Sequence, residues 1–422
     1  MNKYSLILFS ALFSFFSTYA QDMKRVHRYL DTLCASGLHG RGAGFDGQKK
    51  AANYLSDRFR EIGLSSFSDN YFQNFNYDIN TFPGTVFLQA DGSTLIPGKD
   101  YIVGSASPSG KATLKILVLD TLIFTSKKYQ KKFLAINVKK FALVYDEVFE
   151  RKLKKDSTKI IEKKLENASC VVILKDKKLT MGLSGVQEKT VVFEVLKEKF
   201  NAQTKTISYE LNAELIKNYN AQNIIGYVKG IAVPDSFLFI TAHYDHLGTL
   251  GSTTFFSGAN DNASGVSMLL ELARYFKEHS QRYSIVFIAF GAEEAGLIGS
   301  KYFTENPLVP LKKIRFLLNL DLMGTGDDGM MVVNGTVFPK EFSLLTKIND
   351  EKIHLPNIKK RGKAANSDHY YFSEKGVPAF FFYTLGGITA YHDVFDVPET
   401  LPLTKFKEVH QLIIEFVTSL TK

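Results

Sequence analysis

Residues 236–248, SFLFITAHYDHLG, decide the fold class of this chain. The stretch begins as an uninterrupted apolar run, which is typical of a strand buried on both faces of a sheet. It then passes directly into His243, Asp245 and His246. We expect the His243 imidazole at the carboxyl end of this strand, the edge where open α/β sheets bind ligands. Taken alone, a histidine at a strand end is more often structural.

Strand-like and helix-like segments alternate from residue 206 onward, which favours an α/β sheet flanked by helices. The strand candidates are 223–228, 236–242, 284–290, 314–320, 330–333 and 379–383. The helix candidates are 263–277, 298–304, 340–349 and 404–420. Two further helices, at 24–38 and 47–64, are predicted around a glycine loop. The loop contains the pattern G-x-G-x-x-G, but a helix precedes it rather than a strand, which disfavours dinucleotide binding.

The middle of the chain has a different pattern. Between about residues 85 and 205, short β-like runs are separated by Lys-rich links, which predicts a smaller, β-rich inserted domain. The predicted strands there are 86–89, 114–119, 141–145, 170–174 and 190–194. The predicted division is a signal peptide at 1–20, the N-terminal part of the catalytic domain at 21–84, the insertion at 85–205 and the main catalytic part at 206–422.

Composition excludes several classes of protein. The 422 residues are 45% hydrophobic and 23% charged, which excludes a disordered or collagen-like chain. Only two cysteines occur, Cys34 and Cys170, so a Cys-rich zinc site is excluded, while their pairing stays open. The net charge of +9 arises between Asp91 and Glu210, where 23 Lys/Arg face 14 Asp/Glu. A basic surface for nucleic acid or anionic envelope polymers is one interpretation. We prefer a solvated Lys-rich face, without a nucleic-acid partner, because no aromatic-interleaved motif accompanies the lysines.

The first twenty residues have the pattern of a secretory signal peptide. Lys3 precedes an apolar run at 5–17, and Ala20 provides a small residue at the cleavage position before Gln21. The run is shorter than the roughly 20 residues that a bilayer-spanning helix needs. No later stretch is apolar enough to span a membrane. The mature protein is therefore predicted to be exported, to the periplasm or the extracellular space, without a membrane span.

Metal-type side chains follow one predicted strand or loop after another: His243, Asp261, Glu294, Asp321 and His392. Each has a simpler explanation alone, such as a helix N-cap for Asp261 or a solvated helix start for Glu294. Together they form the set that two zinc ions require, with one bridging carboxylate and room for water. Glu293 is left over, and its natural role is that of general base. Asp245 can accept the far N–H of His243 and fix its tautomer.

The runs AHYDHLG, SGANDNASG, AFGAEEAGLIGS, LNLDLMG, SDHYYF and AYHDVFD resemble those of the secreted co-catalytic di-zinc exopeptidases. That family includes bacterial leucyl aminopeptidases, glutamate carboxypeptidase and the glutaminyl cyclases. The resemblance is weak over residues 24–75 and strong over 206–422. It implies a zinc-exopeptidase-type mixed sheet, and residues 85–205 resemble, more loosely, a protease-associated insertion.

The same resemblance implies a role for each candidate residue. One zinc ion would be held by His243, Asp261 and Asp321. The other would be held by Asp261, Glu294 and His392, so that Asp261 bridges the two. Glu293 would be the base and Asp245 would orient the first histidine. Tyr391 matches a tyrosine that helps to stabilise the oxyanion in some members, and a cis peptide bond is implied after Asp261.

Four functions remain open from the sequence. The leading one is an aminopeptidase acting on peptides with a free N-terminus. A carboxypeptidase could use the cations at 359–363 for a substrate carboxylate, although these equally form an exposed loop. A glutaminyl cyclase and a non-catalytic, receptor-like module are the others. His246, Asp368 and His369 are expected near the metals or in a loop that caps a helix, and the remaining histidines at the surface or in packing.

Overall fold

The computed structural model describes residues 22–68, 70–201 and 203–422, and the predicted signal peptide at 1–20 lies outside them. The α-helices within these residues are α1 Met23–Leu33, α2 Gly47–Ile62, α3 Leu122–Thr125, α4 Lys127–Ala135, α5 Glu147–Lys155, α6 Ile160–Leu165, α7 Gly265–Glu278, α8 Ile298–Glu305, α9 Pro339–Lys352, α10 His369–Glu374 and α11 Phe406–Leu420. The β-strands are β1 Ser65–Ser66, β2 Phe72–Thr81, β3 Val86–Ala90, β4 Ser93–Thr94, β5 Tyr101–Val103, β6 Gly110–Val118, β7 Phe141–Asp146, β8 Cys170–Lys175, β9 Val191–Leu196, β10 Thr206–Leu211, β11 Glu214–Val228, β12 Val233–His243, β13 Thr249–Leu250, β14 Thr254–Phe255, β15 Tyr283–Phe290, β16 Ile314–Leu320, β17 Gly329–Val333, β18 Ile358–Lys360 and β19 Ala379–Leu385.

The larger sheet is mixed, with the order β1-β11-β15-β12-β16-β19-β17-β18, and β2 pairs with β11. Its centre, β15-β12-β16-β19, is parallel, whereas β11 and β17 run antiparallel to their central neighbours. The near-continuous apolar sequences of the central strands suit a sheet that is covered on both faces. The predicted fold class, a mixed sheet flanked by helices with a smaller β-rich unit, is confirmed.

Side chains of β12 alternate between two hydrophobic cores, as the twofold period of a strand requires. Leu238 and Ile240 pack in the core formed with α1, α2, α7, α9 and α11. Phe237 and Phe239 point to the other face, where Phe303 of α8 and Phe372 of α10 complete a smaller core. Helices on both faces thus hold the strands in place and leave the carboxyl ends of β12, β15 and β16 at one edge.

The smaller sheet has the order β4-β3-β10-β6-β7-β8-β9-β5. It takes its strands from residues 86–211, so β10 lies beyond the predicted end of the insertion at residue 205. Helices α4 and α5 occupy two of the Lys-rich stretches that we predicted as links. Each buries a few apolar residues, such as Phe133 and Phe149, against the sheet and leaves its lysines exposed. The division of the chain into domains remains a prediction.

A long antiparallel pair was not predicted. β2 pairs from Phe72 to Thr81 with the first part of β11. Both sequences are mostly polar there, so the alternation of apolar and polar residues that predicts a strand is not visible. Cys34 and Cys170 are both free. None of the helices in the described part of the chain is long and apolar enough to cross a membrane.

Candidate metal centre

The five predicted metal ligands lie together at the carboxyl edge of the larger sheet. His243 ends β12, Glu294 follows β15 after a short turn, and Asp321 comes directly after β16. Asp261 lies in the turn Ala259–Ser264 that leads into α7, where its own backbone is not helical, and His392 lies in the loop after β19. Because the central strands are parallel, their carboxyl ends deliver these side chains to one place.

The Asp261 carboxylate lies between the two imidazoles. Its Oδ1 is 3.3 Å from His243 Nε2, and its Oδ2 is 3.1 Å from His392 Nε2. His243 Nε2 is also 3.4 Å from Asp321 Oδ1, and His392 Nε2 is 3.1 Å from Glu294 Oε2. Each imidazole nitrogen therefore faces two carboxylate oxygens, and Asp261 is common to both groups.

Hydrogen bonds on the far side of each ring define which nitrogen faces the carboxylates. His243 Nδ1 is 3.2 Å from the Asp245 backbone carbonyl, and His392 Nδ1 is 3.1 Å from the Met181 carbonyl. A carbonyl oxygen only accepts, so each Nδ1 carries the hydrogen. In a neutral imidazole the Nε2 lone pair would then point at carboxylate oxygens, which is repulsive. Each Nε2 requires a positive charge beside it, supplied by a proton or by a metal ion.

The donor set fits zinc, which binds imidazole nitrogen and carboxylate oxygen in four-coordinate sites. Single ligand atoms of His243, Asp261 and Asp321 lie within 4.8 Å of one another. Asp321 Oδ1 is buried without a hydrogen-bond partner among the described residues, as expected of an oxygen that serves as a metal ligand. His246, Asp261 and Glu294 form a second group of the same size. The second group therefore has two candidate imidazoles, those of His392 and His246.

The two imidazoles differ in how they meet Glu294. His246 Nδ1 contacts Glu294 Oε1 at 2.8 Å, whereas its Nε2 is buried and has no partner among the described residues. His392 presents Nε2 to the carboxylates and anchors Nδ1 elsewhere. The orientation of His392 is that of a metal ligand, and the contact of His246 is that of a residue that orients Glu294.

Glu293 lines a cavity of about 140 Å³ that opens over the donor set. Burial raises the pKa of its carboxyl well above the ordinary value; the neighbouring Glu294 adds to this, and His243 opposes it. Another part of the cavity lining is apolar and aromatic and consists of Leu322, Phe381 and Tyr383. A partly buried carboxylate beside such a cavity is suited to exchange a proton with a molecule bound there.

Asp245 acts differently from our prediction. Its carboxylate Oδ1 is 3.8 Å from His243 Nδ1, beyond hydrogen-bond range, and it is the Asp245 backbone carbonyl that accepts from the ring. The carboxylate instead accepts the backbone N–H groups of Glu293 and Glu294, at 3.0 and 3.2 Å. These amides occupy both carboxylate oxygens, so Asp245 fixes the turn that carries the two glutamates. Burial raises the pKa of the Asp245 carboxyl to about 6.

Tyr391 lies at the rim of the cavity. Its side chain is 44% exposed and stacks on His392, with ring centroids 4.0 Å apart and an interplanar angle of 15°. Burial of the hydroxyl and the nearby carboxylates of Asp261 and Glu294 raise its pKa. The phenol therefore stays protonated at neutral pH and can donate a hydrogen bond into the cavity.

Two sequence comparisons identify the family. A sequence model of peptidase family M28 matches residues 223–417. Aminopeptidase YwaD of Bacillus subtilis (strain 168) is 30% identical over 352 residues, which cover 79% of this chain and 70% of that protein. The chain belongs to peptidase family M28. Membership in this family makes the chain a metallo-exopeptidase.

This M28 peptidase is also similar to a second curated protein and to a solved structure. A probable zinc metalloprotease of Pyrenophora tritici-repentis (strain Pt-1C-BFP) is 33% identical over 122 residues, 28% of this chain and 28% of that protein. The solved structure of BSAP, a zinc aminopeptidase from Bacillus subtilis, has a similar fold, with a TM-score of 0.71 and 24% sequence identity. The similarity covers 95% of this chain and 95% of the BSAP chain, so it is not confined to the residues of the larger sheet.

Arg41 supports the centre of this M28 peptidase, and the sequence analysis did not single it out. The guanidinium is completely buried. It donates to backbone carbonyls of Tyr244, at 2.7 Å, and of Ser257 and Gly258, at 2.6 and 2.8 Å. It thus joins the loop after His243 to the loop before Asp261. The available signal was an arginine directly before the G-x-G-x-x-G pattern, in a glycine loop that we considered only for dinucleotide binding.

Further hydrogen bonds fix the loops that carry Asp261 and Asp321. The Asp396 carboxylate accepts the backbone N–H groups of Asn260 and Asp261, at 2.8 and 3.0 Å. The Asn262 amide bonds to the backbone around Asp321, and the peptide bond between Asp261 and Asn262 is cis. Ser367 Oγ donates to Asp321 Oδ2 at 3.2 Å. These contacts hold the ligand loops in place beside the donor set.

The remaining predicted residues fall into two groups. Asp368 is buried and burial raises its pKa to about 7, while burial lowers the pKa of His369 to about 4. Asp368 stands directly before α10 and contributes to the raised pKa of Glu293, whereas the His369 ring packs against Phe381, with centroids 5.3 Å apart. Both of our interpretations of this pair stay predictions. The cations at 359–363 are exposed and are not among the residues that line the cavity. They give the carboxypeptidase alternative no support.

Proposed function

We propose that this M28 peptidase is an aminopeptidase that uses two zinc ions. The observation that carries the proposal is the position of Asp261, whose two carboxylate oxygens each face a different imidazole Nε2. One ion would be held by His243, Asp261 and Asp321, and the other by Asp261, Glu294 and His392. Bound zinc supplies Lewis acidity towards water and towards the carbonyl of the bond to be cleaved.

The cavity supports an exopeptidase. Its volume of about 140 Å³ is below the roughly 300–1,000 Å³ of common ligand pockets, so it suits a single residue rather than an extended chain. The aromatic wall of Phe381 and Tyr383 offers an apolar surface for that residue's side chain. The carboxylates that also line the cavity give it a negative charge that suits a protonated α-amino group. These features favour peptides with a free N-terminus as substrates.

Each residue has one task in the reaction that we propose. Glu293 takes a proton from the attacking water and delivers it to the leaving amine. Tyr391 donates a hydrogen bond to the oxygen that becomes negative during the attack. Asp245 keeps Glu293 in position through the two backbone N–H groups that its carboxylate accepts.

A mixed pool of peptides, each in free and N-acetylated form, tests the substrate class. We expect stepwise loss of N-terminal residues from the free peptides alone, and we expect a chelator to abolish it because the metals would be removed. Mass spectrometry of the pool before and after incubation is the measurement. Trimming from the C-terminus, or cleavage that persists in the chelator, would contradict the proposal.

We also propose that the protein is exported and that residues 1–20 are removed. The support is the sequence pattern of Lys3, the apolar run at 5–17 and Ala20. The expected result is a mature chain that begins at Gln21. Intact-mass measurement of protein collected from outside the cytoplasm checks this, and a chain that retains Met1 there would show that no leader is cleaved.

A further inference from the structure

The smaller sheet's unit reaches the metal centre through residues 176–183, the first part of the connection from β8 to β9. Met181 contributes two hydrogen bonds: its backbone N–H donates to the His392 carbonyl at 2.9 Å, and its carbonyl accepts from His392 Nδ1 at 3.1 Å. The pair fixes both the backbone and the ring of His392. It thereby sets the direction in which Nε2 points, towards Asp261 and Glu294.

Lys178 ties the same segment to both sides of the loop at residues 389–395. Its Nζ donates to the Thr389 carbonyl at 2.7 Å and pairs with Asp393 Oδ2 at 3.1 Å. The Asp393 carboxylate also accepts the backbone N–H groups of Tyr391 and Phe395, at 3.3 and 2.9 Å. One lysine therefore supports the short stretch of backbone that carries His392.

Packing supports part of this loop, because Val394 contacts the core of the smaller sheet and the Tyr391 ring stacks on His392. A cavity of about 310 Å³ lies beside the contact and is lined by Lys178, Thr389, Asp393 and Phe395 among others. His392 itself has a left-handed backbone, with a φ of 54°. A non-glycine residue keeps that conformation only where its surroundings enforce it. The hydrogen bond to Met181, and those of the Asp393 carboxylate that Lys178 contacts, provide such surroundings.

We propose that residues 176–183 position His392 as a metal ligand, with Lys178 as the positioning residue. The smaller sheet's unit is then a structural part of the metal centre. The inference rests on the proposed two-zinc site. Loosening the contact affects the zinc held by Glu294 and His392, because partners on the far side of a ligand imidazole orient it. The other zinc keeps its ligands, since His243 and Asp321 are held separately by Asp245 and Ser367.

The test compares Lys178→Ala with Lys177→Ala in the full mature protein. Lys177 is an exposed lysine in the same segment and lines the same cavity, so it is a matched control. Zinc binding is measured by competition with a chelator, and the zinc content by elemental analysis. We expect Lys178→Ala to lower the affinity for one of the two zinc ions by about 10-fold. Lys178→Arg and Lys177→Ala should bind zinc with the affinity of the wild type. Excess zinc should restore the activity of Lys178→Ala.

A second readout does not depend on metal. Amide hydrogen exchange over residues 389–395 in the metal-free protein should be faster in Lys178→Ala than in Lys177→Ala. Equal zinc affinities and equal exchange in these two variants would overturn the inference. An equal loss of affinity for both zinc ions in Lys178→Ala would also overturn the inference and indicate a general structural role. The same conclusion would follow if excess zinc did not restore the activity of this variant. A wild type that binds fewer than two zinc ions would instead contradict the proposed function.

Discussion

Glu293→Gln is expected to lower kcat by about 10²- to 10⁴-fold while the protein keeps two zinc ions. The carboxylate is partly buried beside the cavity, and the imidazoles of His243 and His392 are satisfied by other carboxylates. Glutamine preserves the shape of the side chain but cannot accept and return a proton. Steady-state kinetics on a free dipeptide, together with elemental analysis for zinc, measure both parts of the prediction.

Glu293 also belongs to a group, with His243 and Glu294, whose ligand atoms lie within 4.8 Å of one another. A metal-ligand role for Glu293 is therefore the competing explanation. Loss of zinc in Glu293→Gln would favour that role over the role of base, and unchanged kcat would exclude both. Asp245→Asn is the matched control, because it weakens the support of the same turn without removing the base. It should cost only about 10- to 100-fold.

Asp261→Asn is expected to lose both zinc ions and to reduce activity by at least about 10³-fold. The two oxygens of this carboxylate face His243 and His392 separately, at 3.3 and 3.1 Å. An amide offers only one oxygen and no charge. The side chain is buried, so no neighbouring water-exposed group can take its place. Elemental analysis and kinetics are the measurements.

The loss should also appear as a loss of stabilisation by zinc. A ligand that binds only the folded protein raises its melting temperature. Wild-type protein should therefore melt at a higher temperature when zinc is added, and Asp261→Asn should not. Asp321→Asn is the comparison, because Asp321 contacts only one of the imidazoles and should remove one zinc. If Asp261→Asn and Asp321→Asn lost the same single ion, Asp261 would not be a bridge.

Features with a local sequence signal were predictable. The apolar runs of β12 and β16 lead directly into His243 and Asp321, and two small residues separate β15 from the two glutamates that follow it. Both the strands and the ligands at their ends could therefore be predicted. The polar sequence of β2 and the Lys-rich sequence of α4 carry little hydrophobic periodicity, and we missed both. Their burial depends on partners far along the chain.

Contacts between distant segments left no local pattern. The role of Arg41 depends on carbonyls more than 200 residues away, at Tyr244 and Gly258. His392 follows β19 only after a loop, so its place in the sequence indicated a ligand less directly than the places of His243 and Asp321 did. Its position depends on Met181, in a segment whose sequence gives no sign of a metal centre. The contact of His243 with a carbonyl rather than with the Asp245 carboxylate likewise depends on two amides after β15.

The central claim is that two zinc ions share Asp261. Anomalous diffraction from crystals of the zinc-loaded protein, collected on both sides of the zinc absorption edge, tests it most directly. We predict two peaks about 3.5–4 Å apart. One should lie between His243, Asp261 and Asp321, and the other between Asp261, Glu294 and His392. A single peak, or a second peak away from Asp261, would contradict the account.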